Sequence, residues 1–305
     1  MRILLTGSRG FIGRHLLPFL QARGHEVVPL LRGHGAAPDD LRAVRDWTGW
    51  PDGIEAVAHL AALNPARGAR EALDDAALMA ANAQGTRALA SRAAGVGARV
   101  VVVASTGLVH GLGEAPVTEA ERIAPQNLYA ASKLAAEAEL AQSLEGGSTR
   151  GVALRLPPVF GPGGRGAIAQ LRRLTRLPVP VPVPDGGRRS VLWLGDALEA
   201  FARALEGAPT GGPYLVAADE APTLRDMAGA MRGGAPLALP SALPRLAARL
   251  LGRGETWRRV EGSLVFHDAR FRRETNWRPT TSALEALGWE DHRMIRELER
   301  IGARP

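Results

Sequence analysis

The first thirteen residues constrain this chain more than anything after them. Arg2-Ile3-Leu4-Leu5-Thr6 is a short apolar run, and Gly7-Ser8-Arg9-Gly10-Phe11-Ile12-Gly13 follows it without a gap. The spacing is one residue longer than G-x-G-x-x-G, but the physics is shared. Gly7 makes the tight turn, Gly10 lets the backbone approach a pyrophosphate, and Gly13 lets the following helix pack closely on the sheet. The phosphates then sit at the positive end of that helix. In a chain with 36 glycines such a pattern arises easily as a plain turn. Its place directly after a five-residue strand gives it weight.

The rest of the first half repeats the theme. Apolar runs at Glu26–Leu31, Ala56–Leu60, Val100–Ser105 and Val152–Pro157 alternate with helix-like stretches at Gly13–Arg23, Glu71–Gly95 and Leu128–Leu144. Continuous apolar strands separated by helices predict an α/β fold: a Rossmann-type, doubly wound parallel sheet that binds ligands at the carboxyl ends of its strands. The prolines of Pro178–Pro184 forbid a central strand and predict an edge or surface segment. Val191–Leu194 and Tyr214–Ala217 are expected to return to the sheet. The division expected is a dinucleotide-binding domain at 1–160, with 190–217 returning to it, and a smaller substrate-binding lobe at 161–189 and 218–305.

An acid at the end of the second strand would hold a ribose 2′-hydroxyl. That strand ends Pro29-Leu30-Leu31-Arg32, with no acid. Arg32 and Arg9 can instead pair with a 2′-phosphate. The preference is for NADP(H), with NAD(H) the alternative if both arginines are simply solvated.

Tyr129 and Lys133 lie four apart in Leu128-Tyr129-Ala130-Ala131-Ser132-Lys133, hence on one helix face. A nearby ammonium favours the phenolate and brings the tyrosine towards a working range for proton transfer. Lys133 is the only lysine in the chain, and Tyr129 is one of 2 tyrosines. Arginine cannot replace a compact ammonium in a proton relay. Ser105-Thr106, at the end of a neighbouring strand, can hold a substrate oxygen, although Ser/Thr there is also a common cap.

Other features exclude function classes. There is no cysteine, so no disulfide framework, thiolate metal site or cysteine nucleophile is expected. The 7 histidines are dispersed, and no metal site is expected. The net charge of +7 comes from scattered arginines with few aromatics, which argues against nucleic acid and leaves room for an anionic substrate. No apolar run is long enough to span a membrane. The strand at residue 2 leaves no room for a secretory leader, so the expected location is the cytoplasm. Small residues on the two long helices suggest a homodimer.

Taken in order, these segments resemble the extended short-chain dehydrogenases/reductases, the NAD-dependent epimerase/dehydratase family. The resemblance covers nearly the whole chain. It runs from the glycine loop through His59-Leu60-Ala61-Ala62, at the fourth strand of that fold, and Asn82-Ala83-Gln84-Gly85-Thr86. It continues through Ser105-Thr106, Tyr129 with Lys133, Leu154–Gly163, Arg188-Arg189-Ser190-Val191, Asp268-Ala269-Arg270 and Asn276–Pro279. It implies Thr106, Tyr129 and Lys133 as the catalytic set. Gly7, Ser8, Arg9, Gly10, Phe11, Ile12 and Gly13 would hold the cofactor, with Arg32, Leu60, Ala61, Ala62, Asn82, Tyr129, Lys133 and Pro157. Ser105, Thr106, His110, Arg189 and Arg259 would face the substrate, with Arg189 on the diphosphate of a nucleotide sugar. Within the family, the chain looks most like bacterial reductases of UDP-linked 4-keto-6-deoxy-N-acetylhexosamines. Pro158, His110 and Gly166-Ala167-Ile168 depart from the epimerase pattern. These departures leave the exact substrate open; the likeness to the reductases implies reduction by NADPH, with epimerisation, reduction of another carbonyl and non-catalytic NADP(H) sensing as alternatives. A sensor would have no need of the Thr106/Tyr129/Lys133 set.

Overall fold

The computed structural model describes residues 1–31, 37–65, 74–177, 183, 187–207, 209–234, 245–246, 249–252 and 261–304. Six parallel strands form the main sheet: β1 (Arg2–Thr6), β2 (Glu26–Leu30), β3 (Ala56–His59), β4 (Val100–Thr106), β5 (Arg150–Leu156) and β8 (Gly212–Leu215). Their order is β2-β1-β3-β4-β5-β8. Successive residues of one strand feed opposite layers. Ile3, Leu5, Val100 and Val102 join the core on one face, and Leu4, Val101 and Val103 the core on the other. Both faces are thus dry, as a parallel sheet requires. The prolines sit where the ladder can spare a donor. Pro29 is in β2 and Pro213 in β8, the two outer strands of this sheet, while the four inner strands carry none.

Helix α1 (Gly13–Ala22) follows the glycine loop, and α4 (Leu128–Leu144) spans the predicted range. Asn127 caps α4 by accepting the N–H of Ala130 at 2.8 Å. The helix expected over Glu71–Gly95 is interrupted. Its described part runs as α2 (Asp75–Leu78), a π-helical turn at Met79–Gln84 and α3 (Gly85–Gly95), and 71–73 lie outside the described residues. Among the described residues His59 ends the third strand rather than the fourth, because 37–55 hold only the short 3₁₀ turn Leu41–Asp46.

One expectation for the later strands is corrected. Leu192–Trp193 (β7) does not rejoin the main sheet; it pairs with Val159–Phe160 (β6) in a separate two-stranded sheet. The reason is local. Leu192 N–H donates to Pro158 O at 3.1 Å, and helix α6 (Leu194–Glu206) starts at once. The segment expected at the surface, Pro178–Pro184, lies outside the described residues except for Val183. The remaining lobe elements are α5 (Ala167–Thr175), α7 (Leu224–Arg232) and three helices beyond Asp268. No helix among the described residues is long and apolar enough to cross a membrane.

Candidate active site

The carboxyl ends of β1, β3, β4 and β5 open into one cavity of about 880 Å³. Gly7, Arg9, Gly10, Phe11, Ile12 and Gly13 line one end. Leu60, Ala62, Thr106, Tyr129 and Pro157 line its middle, and Arg189, Met227 and Phe266 its far end. The glycines at the near end are required by packing. Gly7 has φ +73°, and a Cβ there would lie 2.6 Å from Ala61 N. A Cβ on Gly13 would lie 2.2 Å from Gly7 O. Gly10 N–H closes the turn on Gly7 O at 2.8 Å. Helix α1 has no side chain capping its N-terminus. A bare helix N-terminus under a glycine turn, with Arg9 beside it, fits the pyrophosphate of a dinucleotide.

Behind this loop runs a chain of neutral hydrogen bonds. Thr6 and His59 are register partners on β1 and β3, and Thr6 Oγ1 lies 2.7 Å from His59 Nδ1. Thr6 Oγ1 also accepts Ala61 N–H at 3.1 Å. His59 Nε2 lies 3.1 Å from Thr86 Oγ1, whose own proton goes to Asn82 O at 2.6 Å. The ring must therefore donate from Nε2 and accept at Nδ1. Burial, helped by the Lys133 ammonium, pushes the His59 pKa down to about 3. Asn82, in the π-helical turn, accepts Leu63 N–H at 2.8 Å and donates to Ser132 Oγ at 2.9 Å. Ser132 in turn donates to Tyr129 O at 2.8 Å. The glycine-loop strand is thus connected to the helix that carries Tyr129.

Tyr129 faces the cavity from the first turn of α4, and Lys133 lies one turn deeper, 2% exposed. Burial lowers the Lys133 pKa to about 8, while Glu137, a further turn along, pulls it back up. Thr106 Oγ1 accepts Leu108 N–H at 3.3 Å, which leaves its own O–H to donate into the cavity. The phenyl ring of Phe266 rests where a Gly107 side chain would be, so it walls the space beside Thr106.

The other predicted residues divide. Leu60, Ala62, Pro157 and Arg189 line the cavity with the loop; Ser8, Asn82 and Lys133 are buried and Ala61 is half-buried. Ser105 lines it too, yet its hydroxyl donates to Glu137 and is not presented to a substrate. His110 is corrected outright. It is 0% exposed, its Nδ1 meets Glu121 O at 2.7 Å and its Nε2 meets Arg155 Nη1 at 3.2 Å. These partners turn its ring into the core. Arg32 and Arg259 lie outside the described residues. Sequence reasoning missed Thr6, Ser132, Glu137 and Arg155. Of these only Glu137 carried a signal, since it continues the four-residue spacing of Tyr129 and Lys133. Among the described residues no cluster could hold a metal ion.

Comparison with known proteins gives this geometry its family. The family model described as NAD dependent epimerase/dehydratase matches residues 3–217. A 3-diazoavenalumate denitrifying reductase from a Streptomyces species is 31% identical over 95% of this chain and 100% of its own length. A dTDP-4-dehydrorhamnose reductase from Streptomyces griseus is 32% identical over 70% of this chain and 69% of its own. In structure, a human epimerase family protein with NADPH superposes with a TM-score of 0.75 at 23% identity, covering 96% of this chain and 99% of that one. The chain belongs to the NAD-dependent epimerase/dehydratase family, the extended short-chain dehydrogenases/reductases, and is an NAD(P)-dependent enzyme of that class.

Proposed function

We propose that the enzyme reduces a keto group on a nucleotide-linked sugar, a UDP-sugar first of all, with NADP(H) as cofactor. The carrying observation is the single cavity that runs from the glycine loop, past Thr106 and Tyr129, to Arg189. The glycine loop Gly7–Gly13 would hold a nicotinamide dinucleotide, which would supply the hydride for the keto carbon. Tyr129 gives its phenol proton to the keto oxygen, and Thr106 donates a hydrogen bond to the same oxygen. Lys133, one turn beneath, lowers the cost of the phenolate left behind and takes up the cofactor ribose. The backbone at Ala61 and Pro157 would border the nicotinamide, Arg9 and Arg32 would take the 2′-phosphate, and Arg189 would take the substrate diphosphate. Epimerisation would use the same residues with the cofactor retained through the cycle.

Reduction of a different carbonyl is the second reading, and one observation favours it. The far wall of the cavity is apolar, with Ile168, Leu171, Leu224, Met227, Leu264 and Phe266, and the full-length relative above is named for 3-diazoavenalumate rather than for a sugar. The test is a thermal-shift titration with NADPH, NADH, UDP and a UDP-sugar, followed by turnover of a UDP-4-keto sugar. Stabilisation by NADPH over NADH, with UDP adding to it, supports the first reading. NADH preference with no response to UDP reverses the roles given to Arg9, Arg32 and Arg189. We further propose a cytoplasmic homodimer joined through the alanine-rich α3 and α4; a native mass showing only monomer at micromolar concentration would defeat it.

A further inference from the structure

The mechanism above leaves one buried charge cluster unused. Glu137 is 9% exposed and lies on α4, four residues beyond Lys133 and eight beyond Tyr129, so the three share one helix face. Arg155, from β5, grips its carboxylate from Nε at 3.1 Å to both oxygens and from Nη2 at 2.6 Å. Ser105, beside Thr106 on β4, donates its hydroxyl to the same carboxylate. Arg155 is itself fixed by Glu119 O at 2.5 Å and by His110. Among the described residues, His59 on β3 and Glu137 on the same helix interact electrostatically with Lys133, Tyr129 lies one turn before it, and Arg155 is bonded to Glu137. His59 is held neutral by its burial and by the ammonium itself, and Glu137 is the negative charge that acts on Lys133.

We propose that Glu137 is a positioning residue: it holds the Lys133 ammonium beneath Tyr129 and, through Ser105, holds the end of β4 that presents Thr106. The three catalytic side chains come from β4 and α4, and Glu137 is the group bonded to one element while seated on the other. Its carboxylate is bonded to Arg155 and Ser105, and the Lys133 ammonium lies one helix turn away from it. Removing Glu137 or removing Arg155 therefore moves the ammonium in opposite senses. Without Glu137, the buried ammonium loses its counter-charge and faces Arg155 directly. Without Arg155, Lys133 keeps the carboxylate to itself.

The inference rests on Tyr129 and Lys133 being the reacting pair, but its test needs no substrate. Lys133 is the only lysine of the chain, so protein grown on lysine labelled with carbon-13 at Cε gives one side-chain resonance, and its titration reads this ammonium alone. The full-length protein should titrate near about 8. Glu137→Gln should lower that midpoint by on the order of one pH unit, Glu137→Asp should restore most of it, and Arg155→Gln should raise it. The near-ultraviolet spectrum of the 6 tryptophans reports whether each variant is folded. If the two substitutions prevent folding, Ser105→Ala keeps the ion pair and decides the matter, with the midpoint rising by a few tenths as Glu137 loses a donor. An unchanged midpoint in folded Glu137→Gln, a shift of the same sign in Arg155→Gln, or no change in Ser105→Ala overturns the proposal. Absence of turnover on keto sugars would overturn the substrate reading and leave this titration standing.

Discussion

The two ends of the cavity are built differently. The glycine-loop end, proposed to take the cofactor, rests on inner strands in continuous register, with Gly7 and Gly13 packed too closely for a Cβ and a run of neutral hydrogen bonds from Thr6 to Tyr129. The far end is assembled from single bridges, Arg189 to Leu264 and Val117 to Phe266, beside the two-residue strands β6 and β7. One end is fixed by the sheet; the other is fixed by short segments that can change their side chains without disturbing the sheet. That division lets one scaffold keep its hydride chemistry while its substrates differ.

Substitutions at each end test the division. The largest effect is expected at the junction: Tyr129→Phe should lower kcat by ~10²–10⁴-fold and leave NADPH binding intact by titration calorimetry. Equal loss of cofactor affinity would mean that the tyrosine belongs to the binding end. Next comes Gly13→Ala, whose new methyl would meet the backbone of Gly7. Overpacking of this kind costs about 1–3 kcal/mol, and NADPH should no longer raise the melting temperature. Arg189→Ala should weaken UDP-sugar binding by about 10- to 100-fold, since a charged hydrogen bond is worth about 1.5–3 kcal/mol, while NADPH affinity stays unchanged. A joint loss of both would join the two ends into one unit.

The smallest effect is a pH slope. His59 is neutral in the fold with its pKa at about 3, against 6.5 when unfolded. Between those values the unfolded chain binds more protons, so stability is full above about 6.5 and falls as pH drops towards about 3. Asp196 opposes this in part. Its pKa is raised to about 6 by burial, so its share of stability is greatest below its unfolded value of 3.8 and declines as pH rises through about 6. Melting temperatures of His59→Asn against pH should lose the acid-side slope and retain the weaker opposite one.

The cofactor end was legible because its physics is repetitive. Apolar runs fix strands, glycines mark the turn, and the four-residue spacing of Tyr129 and Lys133 puts both on one helix face. Thr6, His59 and Thr86 are isolated polar residues within apolar surroundings, and nothing in their spacing shows that they meet. His110 was set at the substrate only by the family resemblance, whereas its Nε2 meets Arg155, 45 residues later in the chain. The far end was the least legible. Its bridges join residues such as Arg189 and Leu264, far apart in the chain and outside any periodic element, so no local pattern announces them.

The prolines of the outer strands have a consequence for how copies of this chain meet. An open sheet rim is a template for another chain's strand, and a full row of donors there invites runaway association. With Pro29 on one rim and Pro213 on the other, each row lacks a donor. A strand from a neighbouring molecule would meet a proline ring at each flank, which weakens edge-to-edge pairing.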